Sequence, residues 1–404
     1  MRLELSRSTY MESVRALSPD LVYLYTHRVL LRLGLSVSSV FTVVLIYQFF
    51  DSSFFAVALA YGSLYIGVLL LTPLSSMLIS RLGVMRMLMW AVPLLGVGTI
   101  GLYAFASGGQ YAFSGLVAFV IAMVLYKILY WVPYHVDFSR LLDSHRRGGQ
   151  LAIIRNLADV LIVLTPFLGG YVVEKFGFTS LYALVLVFVA ISIIPLFSLP
   201  NTYEKYQWTY LQTFKQLFSR RNRGLLFAYT GDGVQDMTFA AVWPLIVFTL
   251  LGENYIALGA ITALTFLAVL VLRMVTGRLF DTWDKKKLMM IGAISASTGW
   301  ILKIMVGTPV QIFMVDTYHG MGRVVNRTTV DAITYEQSAD NGRYVDEYTT
   351  LKEMALAFGR TSVLVVVAVL MYFFDPQLAF IAALALSAVA TMTTMLLTRR
   401  IHLV

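Results

Sequence analysis

The chain contains no cysteine among its 404 residues, and only 13% of its residues are charged. The first absence excludes disulfides, thiolate metal sites and cysteine nucleophiles. The second argues against a water-soluble globular protein, because such proteins have about a quarter of their residues charged. Hydrophobic residues make up 58% of the chain. The composition therefore predicts a protein that exposes most of its surface to lipid.

The sequence also lacks the short motifs of common catalytic sites. There is no P-loop, no H-E-x-x-H and no nucleophile elbow. The polar joints between apolar stretches are too short to hold a soluble catalytic domain. We therefore expect no enzyme activity, no cofactor, no metal site and no use of ATP by this chain alone.

The apolar residues are gathered into blocks of about 20, the length that an α-helix needs to cross the hydrocarbon core of a membrane. The alternating segments of a transmembrane β-barrel are absent. The sequence thus predicts an all-α integral membrane protein with about twelve spanning helices. The predicted spans are 26–50, 54–79, 84–106, 111–136, 150–173, 178–199, 223–250, 255–280, 287–306, 309–332, 346–374 and 377–397.

Lysine and arginine are concentrated in every second joint, for example at Arg146 and Arg147 and at Lys285–Lys287. The other joints hold essentially only Lys175, which follows Glu174. Because cytoplasmic joints carry the excess of basic residues, both termini are predicted to be cytoplasmic. The net charge of +9 is then explained by orientation and by anionic lipid headgroups, with no role for nucleic acid. We expect a monomer in a prokaryotic inner (plasma) membrane.

An internal repeat divides the chain. Ser76–Arg86, after the second predicted span, has a counterpart in Gly277–Lys287, after the eighth, and Val136–Asp137 recurs as Val330–Asp331. Both matches are separated by about 200 residues, which predicts two parallel repeats of six helices. The segment between the repeats spaces its apolar side chains three and four residues apart, as an interfacial amphipathic helix does. The predicted units are 1–199, a cytoplasmic linker helix at 200–222, and 223–404.

The stretch Gly277–Lys286 resembles the joint motif of the major facilitator superfamily, roughly G-x-L-A-D-R-x-G-R-K. A second element, Thr165–Gly170, is similar to that family's fifth-helix motif G-P-x-x-G-G, which is associated with exporters and antiporters. Here Pro166, Gly169 and Gly170 match the motif, and Thr165 stands in place of a glycine. The resemblance implies a secondary transporter in which two six-helix bundles rock around a central cavity.

The resemblance also implies a cytoplasmic gate. In the family, the acid of the joint motif helps to close the cytoplasmic side, and this role is carried over to Asp281, with Gly277 and Arg81 beside it. We expect Asp281 to face the positive N-terminal end of the fifth helix. In the first copy of the joint, Ser80 replaces the acid and Ser76 replaces the glycine.

Ionisable residues inside a span need a partner, a wet cavity or a function, because a charge in hydrocarbon is costly. Asp232 and Asp236 are four residues apart in the seventh span and share one helix face. Two carboxylates on one face repel each other, which favours the uptake of a proton. The alternative is that arginines neutralise both acids in a static arrangement.

The tenth span carries a polar stripe that must face a cavity or another helix. It contains Asp316, His319, Arg323 and Arg327. We predict that Asp316 and His319 join Asp232 and Asp236 in carrying protons. The arginines are predicted to pair with these acids or to hold an anionic substrate.

The first half also carries charges at depth. Two interpretations are open for Arg32 and Lys127: contact with an anionic substrate, or pairing with Asp159. Arg155 and Asp159 lie four residues apart near the start of the fifth span and are further candidates for substrate contact or ion pairing. Arg28 and His135 lie closer to the cytoplasmic surface and are interpreted as structural. Lys303, at the far end of the ninth span, is expected to extend outward to water.

These residues lead to one favoured function and two alternatives. The favoured one is proton-coupled transport of a small solute by alternating access, with export or antiport indicated by the Thr165–Gly170 element. The first alternative is uptake or exchange of an organic anion, which the buried cations favour. The second is a transporter-like sensor or scaffold, which would bind a solute without moving it.

Overall fold

The structure is a computed structural model that describes residues 18–141, 158–280, 284–340 and 345–398. These residues form helices joined by short turns, without a β-strand among them. The α-helices are α1 (Pro19–Phe49), α2 (Phe54–Leu82), α3 (Val84–Ser107), α4 (Ala112–Leu141), α5 (Thr165–Ser192), α6 (Tyr210–Leu217), α7 (Arg223–Met237), α8 (Trp243–Leu250), α9 (Tyr255–Phe280), α10 (Lys285–Leu302), α11 (Pro309–Asp340), α12 (Val345–Phe373) and α13 (Pro376–Thr393). A π-helix, Thr238–Val242, joins α7 to α8.

Among the described residues, ten helical segments are long and apolar enough to cross a membrane. One of them, Ala158–Ser198, is interrupted at Gly177, whose φ of 80° lies in the left-handed region. The sequence predicted two spans in this segment. The tenth predicted span, α11, is not among the ten, because Asp316, Arg323 and Arg327 interrupt its apolar surface. The all-helical membrane fold is confirmed, and the number twelve stays a prediction.

Polar residues begin the helices as the capping rules require. Side-chain oxygens accept hydrogen bonds from first-turn backbone N–H groups at Ser18, Ser53, Asp284 and Asp375. Gly83, with a φ of 81°, makes the tight turn between α2 and α3. Such caps satisfy backbone groups that have no partner inside the helix.

The helices pack in two corresponding sets. In the first part of the chain α1 packs against α5 and α3 against α4, while in the second part α7 packs against α12 and α10 against α11. The two parts meet through α2 against α12 and through α5 against α9. The largest contacts between the parts therefore come from two helices of each, and α4 also contacts α12.

One end of the bundle is tightly packed across this contact, and we call it the closed end. It holds Gln48, whose side chain accepts a hydrogen bond of 2.5 Å from the Tyr255 hydroxyl. Phe54 and Phe380 meet there edge to face with ring centroids 5.6 Å apart. At Gly170 a Cβ would lie 2.4 Å from the backbone oxygen of Tyr255, so the two backbones approach as only glycine permits.

The segment before α7 forms a shorter helix than its sequence pattern suggested. Only Tyr210–Leu217 is helical, and a capping box between Thr209 and Gln212 starts it. Before that helix, Thr202 donates a hydrogen bond of 3.0 Å to Asp137, and the backbone N–H of Gln207 donates one of 2.6 Å to Glu347. The segment thus connects the end of α4 with the start of α12.

Candidate functional site

A cavity of about 590 Å³ lies between the two parts of the bundle, away from the closed end. Its walls come from α1, α4, α9, α11, α12, the π-helix Thr238–Val242 and the short helical stretch 158–162 with the turn that leads into α5. The volume suits a small solute. Three carboxylates contribute to the lining, together with seven basic side chains: Arg28, Arg32, Arg273, Arg323, Arg327, Lys352 and Arg360.

Asp159 joins the two parts of the molecule on one wall of the cavity. Its Oδ1 lies 3.2 Å from Nη1 of Arg32 on α1, and its Oδ2 lies 2.7 Å from Nη1 of Arg273 on α9. Of the two cations proposed as its partners, Arg32 therefore makes the pair. Lys127 instead places its Nζ 5.2 Å from the ring centroid of Tyr65 and does not line the cavity.

A second contact between the parts links α4 to α12. Nε2 of His135 lies 3.7 Å from Oε1 of Glu353, which also pairs with Lys352 at 3.3 Å. The His135 ring stacks on Trp131 with centroids 5.6 Å apart. His135, interpreted from its position as a structural residue near the surface, thus lies on the cavity wall.

Arg28 differs from the other arginines of the cavity because it has no carboxylate partner within the described residues. Its guanidinium lies over Trp131, 4.6 Å from the ring centroid, and close to the rings of Tyr130 and Tyr134. Its Nη1 is buried, and no hydrogen-bond partner for it is present in the described residues. A buried N–H without a partner is costly, so the site is suited to an anion from outside the protein.

The two acids of α7 are each held by arginine. Asp232 pairs with Arg327, and Asp236 pairs with Nη2 of Arg323 at 3.1 Å and with Nη2 of Arg360 at 2.9 Å. Asp232 and Asp236 thus join α7 to α11 and α12. This is the arrangement that the sequence left open as the static alternative to proton exchange.

Asp316 has a different partner, Lys303. The two charged atoms, Nζ and Oδ1, are 2.8 Å apart, and the indole N–H of Trp243 donates a hydrogen bond of 3.0 Å to Oδ2. The Lys303 side chain has no exposed surface, so the expectation that it extends outward is wrong. The short 3-10 helix Lys303–Met305 directs it inward, where the carboxylate and three aromatic rings offset the loss of water.

His319 lies one turn after Asp316 and is completely buried. Its ring packs against Trp300, with centroids 4.4 Å apart, and also faces Phe239. Neither ring nitrogen has a hydrogen-bond partner among the residues described. His319 does not line the cavity, whereas Asp316 does.

The remaining predicted residues lie elsewhere. Arg155 and Asp281 fall outside the described residues, and Gly277 lies near the end of α9, where side chains are not described. Arg81 is exposed in the last turn of α2. The fifth-helix motif does not line the cavity. Pro166, Gly169 and Gly170 are buried at the start of α5. Gly169 faces α1, and Gly170 faces α9.

Sequence reasoning missed several charged residues of the site. Arg273 and Arg360 interrupt the apolar stretches of α9 and α12. The signal that drew attention to Asp232 and Arg32, a charge inside a predicted span, is therefore present at both of them as well. Glu353 also lies inside a predicted span and was not among the charges singled out from the sequence. Its pairing with His135 depends on how the two parts face each other, which no local pattern specifies.

The chain is similar to known membrane transporters. A family model described as Major Facilitator Superfamily matches residues 27–315. No curated protein matches the chain in sequence. Among solved structures, the human organic anion transporter MFSD10 (TETRAN) is similar, with a TM-score of 0.69, 12% identity, and coverage of 93% of this chain and 99% of that one.

Two further solved structures share the fold. A POT family transporter in complex with 5-aminolevulinic acid has a TM-score of 0.66 and 12% identity, with 92% of this chain and 94% of that one covered. A mutant of the peptide transporter POT in complex with alafosfalin has a TM-score of 0.63 and 14% identity, with 94% of each chain covered. At these identities the likeness concerns the fold alone.

Proposed function

Because the chain belongs to the major facilitator superfamily, we propose that it is a proton-coupled secondary transporter that moves a small organic anion by alternating access. The observation that supports the anion is the excess of positive charge in the cavity. Asp159 and Asp236 each share two arginines, and Arg28 pairs with no acid within the described part of the chain. Carboxylate, sulfonate and phosphate groups are what arginine binds best.

The aromatic surface under Arg28 supports an organic anion over an inorganic one. Trp131 lies on the cavity wall with its ring against the guanidinium and against His135. An anionic group at Arg28 therefore places the carbon skeleton of the solute beside an apolar, polarisable surface. The human organic anion transporter with the same fold is consistent with this class of solute.

The architecture that fits this function has twelve spans in two halves, 1–199 and 223–404, with 200–222 as the cytoplasmic linker. In this arrangement the closed end faces outward and the cavity opens to the cytoplasm. The absence of cysteine makes the test direct. Single variants Ser52→Cys and Gly109→Cys should react with an impermeant maleimide on intact cells, whereas Arg86→Cys should react only after lysis. The opposite pattern would invert the orientation.

Alternating access requires contacts between the halves to break in turn. When the closed end opens, the cavity side must close, and the inter-half pairs Asp159–Arg273 and His135–Glu353 are placed to change during that motion. The candidate groups for the coupled proton are Asp232, Asp236, Asp316 and His319. The gate residues Asp281, Arg81 and Gly277 and the deep cations Lys127 and Arg155 remain predictions.

The test of this function is reconstitution into liposomes with an imposed pH gradient. The solutes are organic anions (benzenesulfonate, succinate and glycerol phosphate), one cation (tetraethylammonium) and one neutral sugar (glucose). Benzenesulfonate is useful because it stays charged and does not leak across lipid as a neutral acid. Gradient-dependent flux of at least one anion is expected. Flux of the cation or sugar alone, or of no solute, contradicts the proposal.

Export in exchange for protons is the second candidate. The observation that favours it is the Thr165–Gly170 element, which packs between α1 and α9 at the closed end, where opening must begin. Under this interpretation protons enter as the anion leaves, so proton and anion move in opposite directions. A sensor without transport predicts binding of the anion with no flux under any gradient.

A further inference from the structure

The four candidate proton groups lie in chemically different surroundings. Asp232 and Asp236 pair with arginines, and Asp236 has two of them. Arginine cannot give up its proton inside a protein. A carboxylate held by guanidinium groups therefore stays charged, because protonating it leaves one or two permanent cations without a counter-charge.

Asp316 has lysine as its cationic partner, at 2.8 Å. An ammonium group makes a single close contact with this carboxylate, whereas a guanidinium presents several fixed donors that hold a carboxylate in its charged form. The carboxylate also reaches the cavity, so water in the cavity can deliver a proton to it. Trp243 donates to the second carboxylate oxygen at 3.0 Å and fixes the orientation of the group.

The surroundings of Lys303 allow its partner to change charge. Nζ lies 4.1 Å from the ring centroid of Trp243, 4.7 Å from that of Trp300 and 5.3 Å from that of Phe239. Aromatic faces attract an ammonium group even without a carboxylate. Lys303 can therefore remain in place when Asp316 is neutral, which a lysine in a purely aliphatic pocket could not.

Few other ionisable groups face this pair within the described residues. On α11 they are His319, buried behind Trp300, and Arg323, which is held by Asp236. Helix α9 contributes Arg273, which is held by Asp159. The packed segments Thr238–Val242, α8 and α13 contain no ionisable residue. The charge of the pair is therefore set mainly by Asp316 and Lys303 themselves.

We propose that Asp316, paired with Lys303 and positioned by Trp243, is the site that takes up and releases the coupled proton, while Asp232 and Asp236 keep their charge. This proposal rests on the proposed transport function and deepens it. A proton from cavity water binds to the Asp316 carboxylate, and Lys303 keeps its own. The pair then changes from neutral to singly positive, next to the cavity that holds the anion.

This change of charge sets the direction of coupling. A positive pair attracts an anion in the same cavity, so the proton and the anion each favour the binding of the other. Such coupling is reciprocal and typically amounts to about 5- to 150-fold in affinity. Proton and anion therefore travel together, which makes the transporter a symporter.

The first test needs no substrate. Intrinsic tryptophan fluorescence of the purified full-length protein is titrated from mildly acidic to mildly alkaline pH. Because Trp243 donates directly to Asp316, a pH-dependent step is expected. It should disappear in Trp243→Phe and in the double variant Lys303→Gln/Asp316→Asn. It should persist in Trp90→Phe, whose ring is 66% exposed on the outer surface of α3.

The double variant is preferred because it removes both charges and leaves no buried ion without a partner. A step that survives in the double variant, or that disappears equally in Trp90→Phe, overturns the assignment to this pair. If the double variant is not folded, as judged by its elution in gel filtration, the isosteric Asp316→Asn variant is titrated in its place. A fluorescence step that survives in Asp316→Asn, or that disappears equally in Trp90→Phe, then overturns the assignment.

The second test separates the failure of this site from failure of the function. In liposomes, benzenesulfonate exchange at equal pH is compared with its accumulation under a pH gradient. The double variant should still exchange the anion but lose gradient-driven accumulation by about tenfold or more. Undiminished accumulation by the double variant refutes the proton site and leaves transport intact. Absence of exchange and accumulation in the unaltered protein refutes the proposed function itself.

Discussion

Asp232 and Asp236 of α7 and Asp316 of α11 face the same central region but have different partners. Asp236 is shared by Arg323 and Arg360, and the three side chains join α7, α11 and α12. Asp316 has a single lysine and one indole donor. Depth in the membrane therefore does not by itself identify a proton site. In the mechanism proposed above, the identity of the paired cation decides whether an acid holds helices together or exchanges a proton.

The same contrast applies to the cations of the first half. Arg32 is neutralised by Asp159, whereas Arg28 lies on aromatic rings without an acid among its described neighbours. A paired arginine is part of the framework. One that lacks a pair is free to bind an anion, so the comparison predicts which arginine the substrate contacts.

The largest effect is expected from Asp236→Asn. Removing the acid leaves two arginines close together without their counter-charge, which should destabilise the protein by about 3–5 kcal/mol. Thermal unfolding of the purified protein measures this loss, with the double variant Lys303→Gln/Asp316→Asn as the charge-balanced control. An equal loss of stability in both variants would show that the Asp236 and Asp316 pairs do not differ in this way.

Substitution of Arg28 should have the next largest effect. Arg28→Gln removes a charged hydrogen-bond donor, so anion affinity should fall by about 1.5–3 kcal/mol, or roughly ten- to hundredfold. Binding of benzenesulfonate by calorimetry is the measurement. Lys127→Gln is the matched control, because Lys127 lies against Tyr65 outside the cavity wall. If Lys127→Gln weakens binding as strongly, the cavity is not the anion site.

Lys303→Arg replaces the lysine–carboxylate pair at Asp316 by an arginine–carboxylate pair like those of Asp232 and Asp236. The charge is kept, but a guanidinium holds the Asp316 carboxylate in its charged form. Accumulation of the anion under a pH gradient should drop about tenfold, while exchange at equal pH continues. Flux assays on the same liposome preparation give both values. Full accumulation with arginine at this position would show that the kind of cation is unimportant.

The smallest effect is expected from Trp243→Phe. It removes one hydrogen bond to Asp316 and leaves the ion pair, so the energetic change should be about 1 kcal/mol. The pH at which anion accumulation is half-maximal should shift by less than one unit, since one unit corresponds to about 1.4 kcal/mol. Abolished accumulation would mean that Trp243 does more than orient the carboxylate.

The sequence was sufficient to predict the helices, but it was insufficient to predict which charged side chains pair between them. Blocks of apolar residues and the Gly277–Lys286 motif predicted the membrane fold and the family, because helix length and joint motifs are local properties. Charges at depth drew attention to Asp232, Asp236 and Asp316. The pattern could not choose between static pairing and proton exchange, because that choice depends on which arginine or lysine of another helix lies opposite.

Lys303 illustrates the same limit. Its position near the end of a span was compatible with an outward side chain, and only the three-dimensional arrangement places Trp243, Trp300 and Asp316 around it. The pairing of His135 with Glu353 likewise joins residues far apart in the chain. Such contacts are set by helix packing, which spacing within a helix does not encode.

Proton movement driven by an anion tests most directly whether Asp316 carries the coupled proton. Liposomes containing the protein and a trapped pH indicator receive an inward gradient of benzenesulfonate, with no initial pH difference. The lumen should become acidic as the anion enters, and the double variant Lys303→Gln/Asp316→Asn should take up the anion without acidification. Entry of the anion into wild-type liposomes with an unchanged or more alkaline lumen would contradict this assignment.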